Sequence, residues 1–70
     1  MKQISSHMAG VVIDILVSLG DNISSGMEIA ILESMKMQLP IEAEIEGIVK
    51  EIKVSKGDFV NEGQPVLILE

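Results

Sequence analysis

Hydrophobic residues fall in short runs that are broken at regular intervals by glycine, and the runs have the period of strands rather than of helices. Val11 to Val17 is an apolar stretch whose alternation sets Val11, Ile13, Ile15 and Val17 on one face, and Ile48, Ile52 and Val54 follow the same pattern later in the chain. Val12 and Val49, on the opposite parity, are apolar too, which requires either a bulge or burial on both faces near the strand start. After the first run, Gly20-Asp21 predicts a turn, Ile23 a short strand, Gly26 another turn, and Ile29 to Leu32 a closing strand. The second set is Ile48 to Val54, Gly57-Asp58, Phe59-Val60, Gly63 and Val66 to Leu69.

These two sets are one unit repeated. Residues 4–33 superpose on residues 41–70 without a gap and agree at twelve of thirty positions, among them Ile4/Ile41, Gly10/Gly47, Val12/Val49, Gly20-Asp21/Gly57-Asp58, Gly26/Gly63 and Ile31-Leu32-Glu33/Ile68-Leu69-Glu70. The repeated glycines mark places where the backbone needs positive φ or where strands approach closely. Two such units related by a pseudo-twofold axis predict an all-β fold over residues 1–70, a flattened barrel-sandwich of two four-stranded antiparallel sheets. In that arrangement each half completes the sheet of the other and removes its exposed edges. Residues 34–40 form a hairpin linker at one end, and the chain termini meet at the other.

Composition supports strands and narrows the chemistry. Eleven Ile and seven Val outnumber six Leu and three Ala, and β-branched side chains favour pleated, half-buried surfaces. The chain has no cysteine, which leaves its apolar core to hold a small domain without disulfide or thiolate metal site. A net charge of −6 with no Lys/Arg cluster argues against nucleic acid or an anionic membrane as partner. No apolar run approaches the ~20 residues of a membrane span, and Met1-Lys2-Gln3 leads into no signal-peptide core, so a cytoplasmic location is expected.

One departure from symmetry within the repeat concerns a face rather than a turn. Ile13, Leu16 and Leu19 stand where the second half has Lys50, Lys53 and Lys56, so a face solvated in one half is covered or adhesive in the other. Asp21 and Asp58, in matched Gly-Asp turns, are explained by side-chain to backbone hydrogen bonds. His7 has no second ligand pattern beside it and reads as a surface or hydrogen-bonded histidine, and Glu42, Glu44 and Glu46 read as the solvent face of a strand, with docking to a basic partner as the lesser alternative. No nucleophile, base and acid are spaced as a catalytic set, so no enzymatic activity is expected of the chain itself.

The remaining candidate is Lys36. A tight hairpin usually carries Asn-Gly, Asp-Gly or another glycine at its tip because the central residues need positive φ, yet Ser34-Met35-Lys36-Met37-Gln38 has none of these. A turn built from disfavoured residues, in a chain whose other turns use glycine, marks a site kept for function. Lysine suits covalent attachment because its amine ends a flexible four-carbon stem. Methionines are ordinarily core fillers, but beside a hairpin tip Met35 and Met37 are better read as contacts for a partner.

Glu33-Ser34-Met35-Lys36-Met37, with Gly47 eleven residues beyond the lysine, resembles the attachment signature of biotinyl domains, the biotin carboxyl carrier members of the biotin/lipoyl attachment family. Ser6, Met8 and Gly10 fit the opening of that family, Gly20-Asp21 and Gly26 its first turns, Ile41 and Ala43 the stretch after the lysine, and Gly57-Asp58 and Gly63 its second turns. His7 stands where the family commonly has proline, and Gln38 where an acidic or amide residue is usual. The gapless repeat leaves no room for the thumb loop of some acetyl-CoA carboxylase carriers.

The resemblance implies a non-catalytic carrier. A biotin protein ligase would use ATP to activate biotin and join it to the Lys36 amine, with Met35 and Met37 as flanking recognition residues. Carboxybiotin would then move between a biotin carboxylase and a carboxyltransferase. Lysine amines are protonated in neutral water, so the ligase must hold Lys36 where it can lose its proton. A lipoyl carrier on the same fold is the alternative, although its usual context is Asp-Lys-Ala rather than Met-Lys-Met. An unmodified scaffold or docking module is the third. With no linker or catalytic domain beside it, the chain reads as a small discrete carrier or a domain handled alone.

Overall fold

The computed structural model describes residues 2–70, which form eight strands and, among those residues, no helix. In chain order these are β1 (Lys2–Ser5), β2 (Gly10–Ile15), β3 (Asn22–Ile23), β4 (Glu28–Ser34), β5 (Met37–Glu42), β6 (Gly47–Ile52), β7 (Phe59–Val60) and β8 (Pro65–Leu69). They make two four-stranded sheets with the orders β1-β8-β6-β3 and β5-β4-β2-β7. All pairings are antiparallel. The body measures 32 × 19 × 19 Å.

Each sheet draws two strands from each half of the chain. In the first sheet β1 and β3 lie at opposite edges with β8 and β6 of the second half between them, and the second sheet repeats this with β5 and β7 around β4 and β2. The turns interlock the halves in the same symmetric way. Gly20 donates to the Val49 carbonyl at 2.9 Å and Val49 to that of Asp21 at 3.0 Å, while 37 residues on Gly57 donates to Val12 at 2.7 Å and Val12 to Asp58 at 2.8 Å. Gly26 and Ala43, and likewise Gly63 and Ser6, make matching bonds at 2.7 Å.

The inward faces meet in a core of Val12, Ile29, Leu32, Ile41, Val60 and Leu67, each no more than 1% exposed, together with nine further buried apolar residues. Burial of a side chain of this kind contributes about 1.5–3 kcal/mol, which is what a domain without cross-links must rely on.

Strand parity differs from the simple alternation. Val12 and Val49 point inward, Val11 and Ile48 point to solvent, and Ile13 and Ile15 are half-buried. The cause is a bulge. β2 and β4 shift register between Val12 and Asp14, leaving Ile13 as the extra residue, and β6 and β8 shift between Val49 and Glu51, leaving Lys50. Each bulge reverses the parity, so that Val17 and Val54 return to the core.

The halves do complete each other's sheets, but they do not remove every edge. β1, β3, β5 and β7 remain edge strands, and β1 and β5 border an open groove lined by residues of both, with His7, Glu42 and Glu44 on its rim. Pro40 within β5 blunts that edge against further pairing, because proline offers no N–H. Pairing of Lys2 with Leu69 brings the two ends of the chain together.

Candidate functional site: the lysine hairpin

The β4–β5 ladder runs from Glu28↔Glu42 to Ser34↔Met37, so only Met35 and Lys36 remain to turn the chain. The predicted linker, residues 34–40, is thus mostly strand, and its turn is two residues long. Both have positive φ, 53° at Met35 and 64° at Lys36, which is the type I′ geometry that matches the twist of paired strands. They are the non-glycine residues with positive φ among those described, and the conformation costs an L-residue on the order of 1–2 kcal/mol. The ladder below holds it in place, as does the close approach of β2 at Gly10, where an added Cβ would lie 2.7 Å from the Glu33 carbonyl oxygen.

Positive φ at the tip throws the side chains outward. Met35 is 92% exposed and Met37 59%, so neither fills the core. Lys36 is exposed and makes no hydrogen bond or ion pair with any described residue. An amine held this way is open to reaction from several directions, and the space around it suits an attached group of any moderate size. Two grooves, one between β1 and β5 and one beside Ile48, are lined by other residues than Lys36.

The other sequence candidates are accounted for locally. Asp21 accepts a hydrogen bond from the Ser18 N–H and Asp58 from the Ser55 N–H, both at 2.8 Å. Glu42, Glu44 and Glu46 are all exposed, but only Glu42 is in a strand; the alternation continues through a bend in which Ala43 is buried. Among the described residues no group of three His, Cys, Asp or Glu is arranged to hold a metal ion. Leu16 and Leu19, the repeat equivalents of Lys53 and Lys56, are exposed, while Ile13, the equivalent of Lys50, is half-buried. Pattern reading missed Ser6, which is buried and donates its hydroxyl to the Met8 carbonyl, and Phe59, which is 60% exposed although its neighbour Val60 is fully buried.

A small β-sandwich interlocks two repeats and carries Lys36 on a two-residue tip with positive φ. A family model described as "Biotin-requiring enzyme" matches residues 1–69, and the chain belongs to this biotin/lipoyl attachment family. It is 54% identical over 41 residues to the "Biotin/lipoyl attachment protein" of Bacillus subtilis (strain 168), a match spanning 59% of this chain and 56% of that protein. The fold is similar to a segment of the Kluyveromyces lactis urea carboxylase, with a TM-score of 0.89 and 26% identity over 99% of this chain and 6% of that one. It is also similar to part of a single-chain, multi-domain long-chain acyl-CoA carboxylase, with a TM-score of 0.85 and 27% identity over 94% of this chain and 7% of that one. The chain therefore spans a little over half the length of the curated relative and a small fraction of either carboxylase.

Proposed function

We propose that the chain is a biotin carboxyl carrier whose Lys36 is joined to biotin by a biotin protein ligase. The observation that carries the reading is Lys36 itself, free at the tip of a two-residue turn with positive φ, between exposed Met35 and Met37. The ligase step forms an amide between the Lys36 amine and the biotin carboxyl group, activated as its adenylate; AMP leaves and the amine loses a proton. Biotin supplies a ureido nitrogen that accepts and gives up a carboxyl group. The chain's own part is to hold the attachment point away from the body so that two active sites can reach it in turn.

In this reading the partners are a biotin carboxylase and a carboxyltransferase, and the carrier is cytoplasmic and non-catalytic. Similarity to segments of two carboxylases supports it. Tethering helps because it replaces diffusional encounter with a high local concentration. The test is the intact mass of the purified chain after incubation with ATP, biotin and a biotin protein ligase, with Lys36→Arg in parallel. One biotinyl amide on the parent and none on the variant is expected. A folded parent that gains no biotin but accepts lipoate from a lipoate ligase would replace this reading with a lipoyl carrier, and one that gains neither would leave a scaffold.

A further inference from the structure

Hydroperoxides find few groups to oxidise in this chain. It has no cysteine and no tryptophan, so the thioethers of its five methionines are the readily oxidised side chains. Met1 lies outside the described residues, and Met8 is half-buried and packs against the core. Met27 is 38% exposed, whereas Met35 is 92% exposed and Met37 59%. The two most open thioethers among the described residues thus stand on either side of Lys36.

Their placement follows from the turn. Met35 holds one of the two positive-φ positions at the tip, and Met37 is paired across the hairpin with Ser34. Neither side chain belongs to the core, so oxidising them leaves the packing and the β4–β5 ladder in place. What changes is the surface. Each sulfoxide replaces a flexible apolar thioether by a polar, chiral S=O group. It also adds a hydrogen-bond acceptor on either side of an amine that has no partner among the described residues.

We infer that Met35 and Met37 are a site of reversible oxidation by hydrogen peroxide, and that their sulfoxides slow the joining of biotin to Lys36. A sulfur lone pair attacks one peroxide oxygen and the O–O bond breaks. The departing hydroxide takes the proton from the transferred oxygen and leaves as water, so sulfur is oxidised by two electrons and peroxide reduced by two. Methionine sulfoxide reductases reverse the change at the expense of a dithiol, which becomes a disulfide as the oxygen leaves in water. The effect on Lys36 rests on the function proposed above, whereas the position of the sulfoxides can be read without any ligase.

The chain is treated with hydrogen peroxide, freed of it with catalase, and divided between peptide mass spectrometry, thermal unfolding and biotinylation kinetics. Sulfoxide is expected at Met35 and Met37 before Met8, with the unfolding temperature unchanged and kcat/KM for the ligase about tenfold below that of the untreated chain. Reductases for both sulfoxide epimers, with dithiothreitol, should restore the rate. The Met35→Leu/Met37→Leu double variant and Met27→Leu are each compared with their own untreated rate; the first should be indifferent to peroxide and the second as sensitive as the parent. Several results would overturn the inference while leaving the carrier assignment intact: a doubly oxidised tip biotinylated at the untreated rate, oxidation of Met8 or Met27 ahead of the tip, a loss that the reductases do not reverse, or an undiminished loss in the double variant. An untreated chain that takes no biotin at all would remove the proposed function and the control of Lys36 with it.

Discussion

Gly10 lies against the backbone of Glu33 so closely that a Cβ at Gly10 would come within 2.7 Å of the Glu33 carbonyl oxygen. That contact lets β2 support β4 two residues before the turn, so the strain at Met35 and Lys36 is borne by packed backbone. Its repeat counterpart is looser: a Cβ on Gly47 would meet the Glu70 carbonyl oxygen and the Leu69 Cβ at 3.0 Å. Gly10→Ala should therefore destabilise the fold by about 1–3 kcal/mol, and Gly47→Ala by less. Urea unfolding of both variants checks the order; equal losses would show that the Glu33 contact has no special weight.

The tip itself trades stability for presentation. Met35 holds φ at 53°, a conformation asparagine adopts with little strain. Met35→Asn should raise stability by about 1 kcal/mol while keeping the hairpin. The same change removes a 92% exposed methionine from the surface the ligase is proposed to read, so the biotinylation rate should fall. Thermal unfolding and initial-rate kinetics on one sample measure both effects, and a more stable chain modified at the parental rate would show that Met35 serves geometry alone.

Much of this arrangement was legible in the sequence, for identifiable reasons. The glycine turns repeat with a fixed offset, so the halves could be matched without knowing any structure. Lys36 stood out because Met-Lys is poor turn chemistry, and the positive φ at both residues is the physical form of that anomaly. Burial along β2 and β6 was not legible, since alternation cannot show that Ile13 and Lys50 are bulged out of register. Val12 and Val49 signalled the problem without choosing between its two solutions. Phe59 escaped notice because it reads as one more strand hydrophobe, and only the pairing of β7 with β2 shows which of Phe59 and Val60 faces water.

The Gly-Asp turns give a test of the symmetry that does not involve the lysine. Gly57 has φ of 95° and open space around its Cβ direction, so Gly57→Val introduces backbone strain without a clash. A loss of about 1–3 kcal/mol is expected, and Gly20→Val, at φ of 88°, should lose a similar amount. Thermal stability equal to the parent in either variant would mean that the turn relaxes into another geometry.

Neither half should fold without the other. Strands β1 and β3 of the first half are separated in their sheet by β8 and β6 of the second, and the glycine turns of each half close their hydrogen bonds on the other. A fragment ending at Met35 would retain the β2–β4 pair but leave β1 and β3 without neighbours and one face of every core residue in water. The fragments 1–35 and 36–70 should each lack cooperative unfolding, and an equimolar mixture should regain strand circular dichroism and a thermal transition that sharpens with concentration. A stable, cooperatively folded 1–35 fragment would mean that the repeat is a pair of independent units placed side by side rather than one interlocked domain.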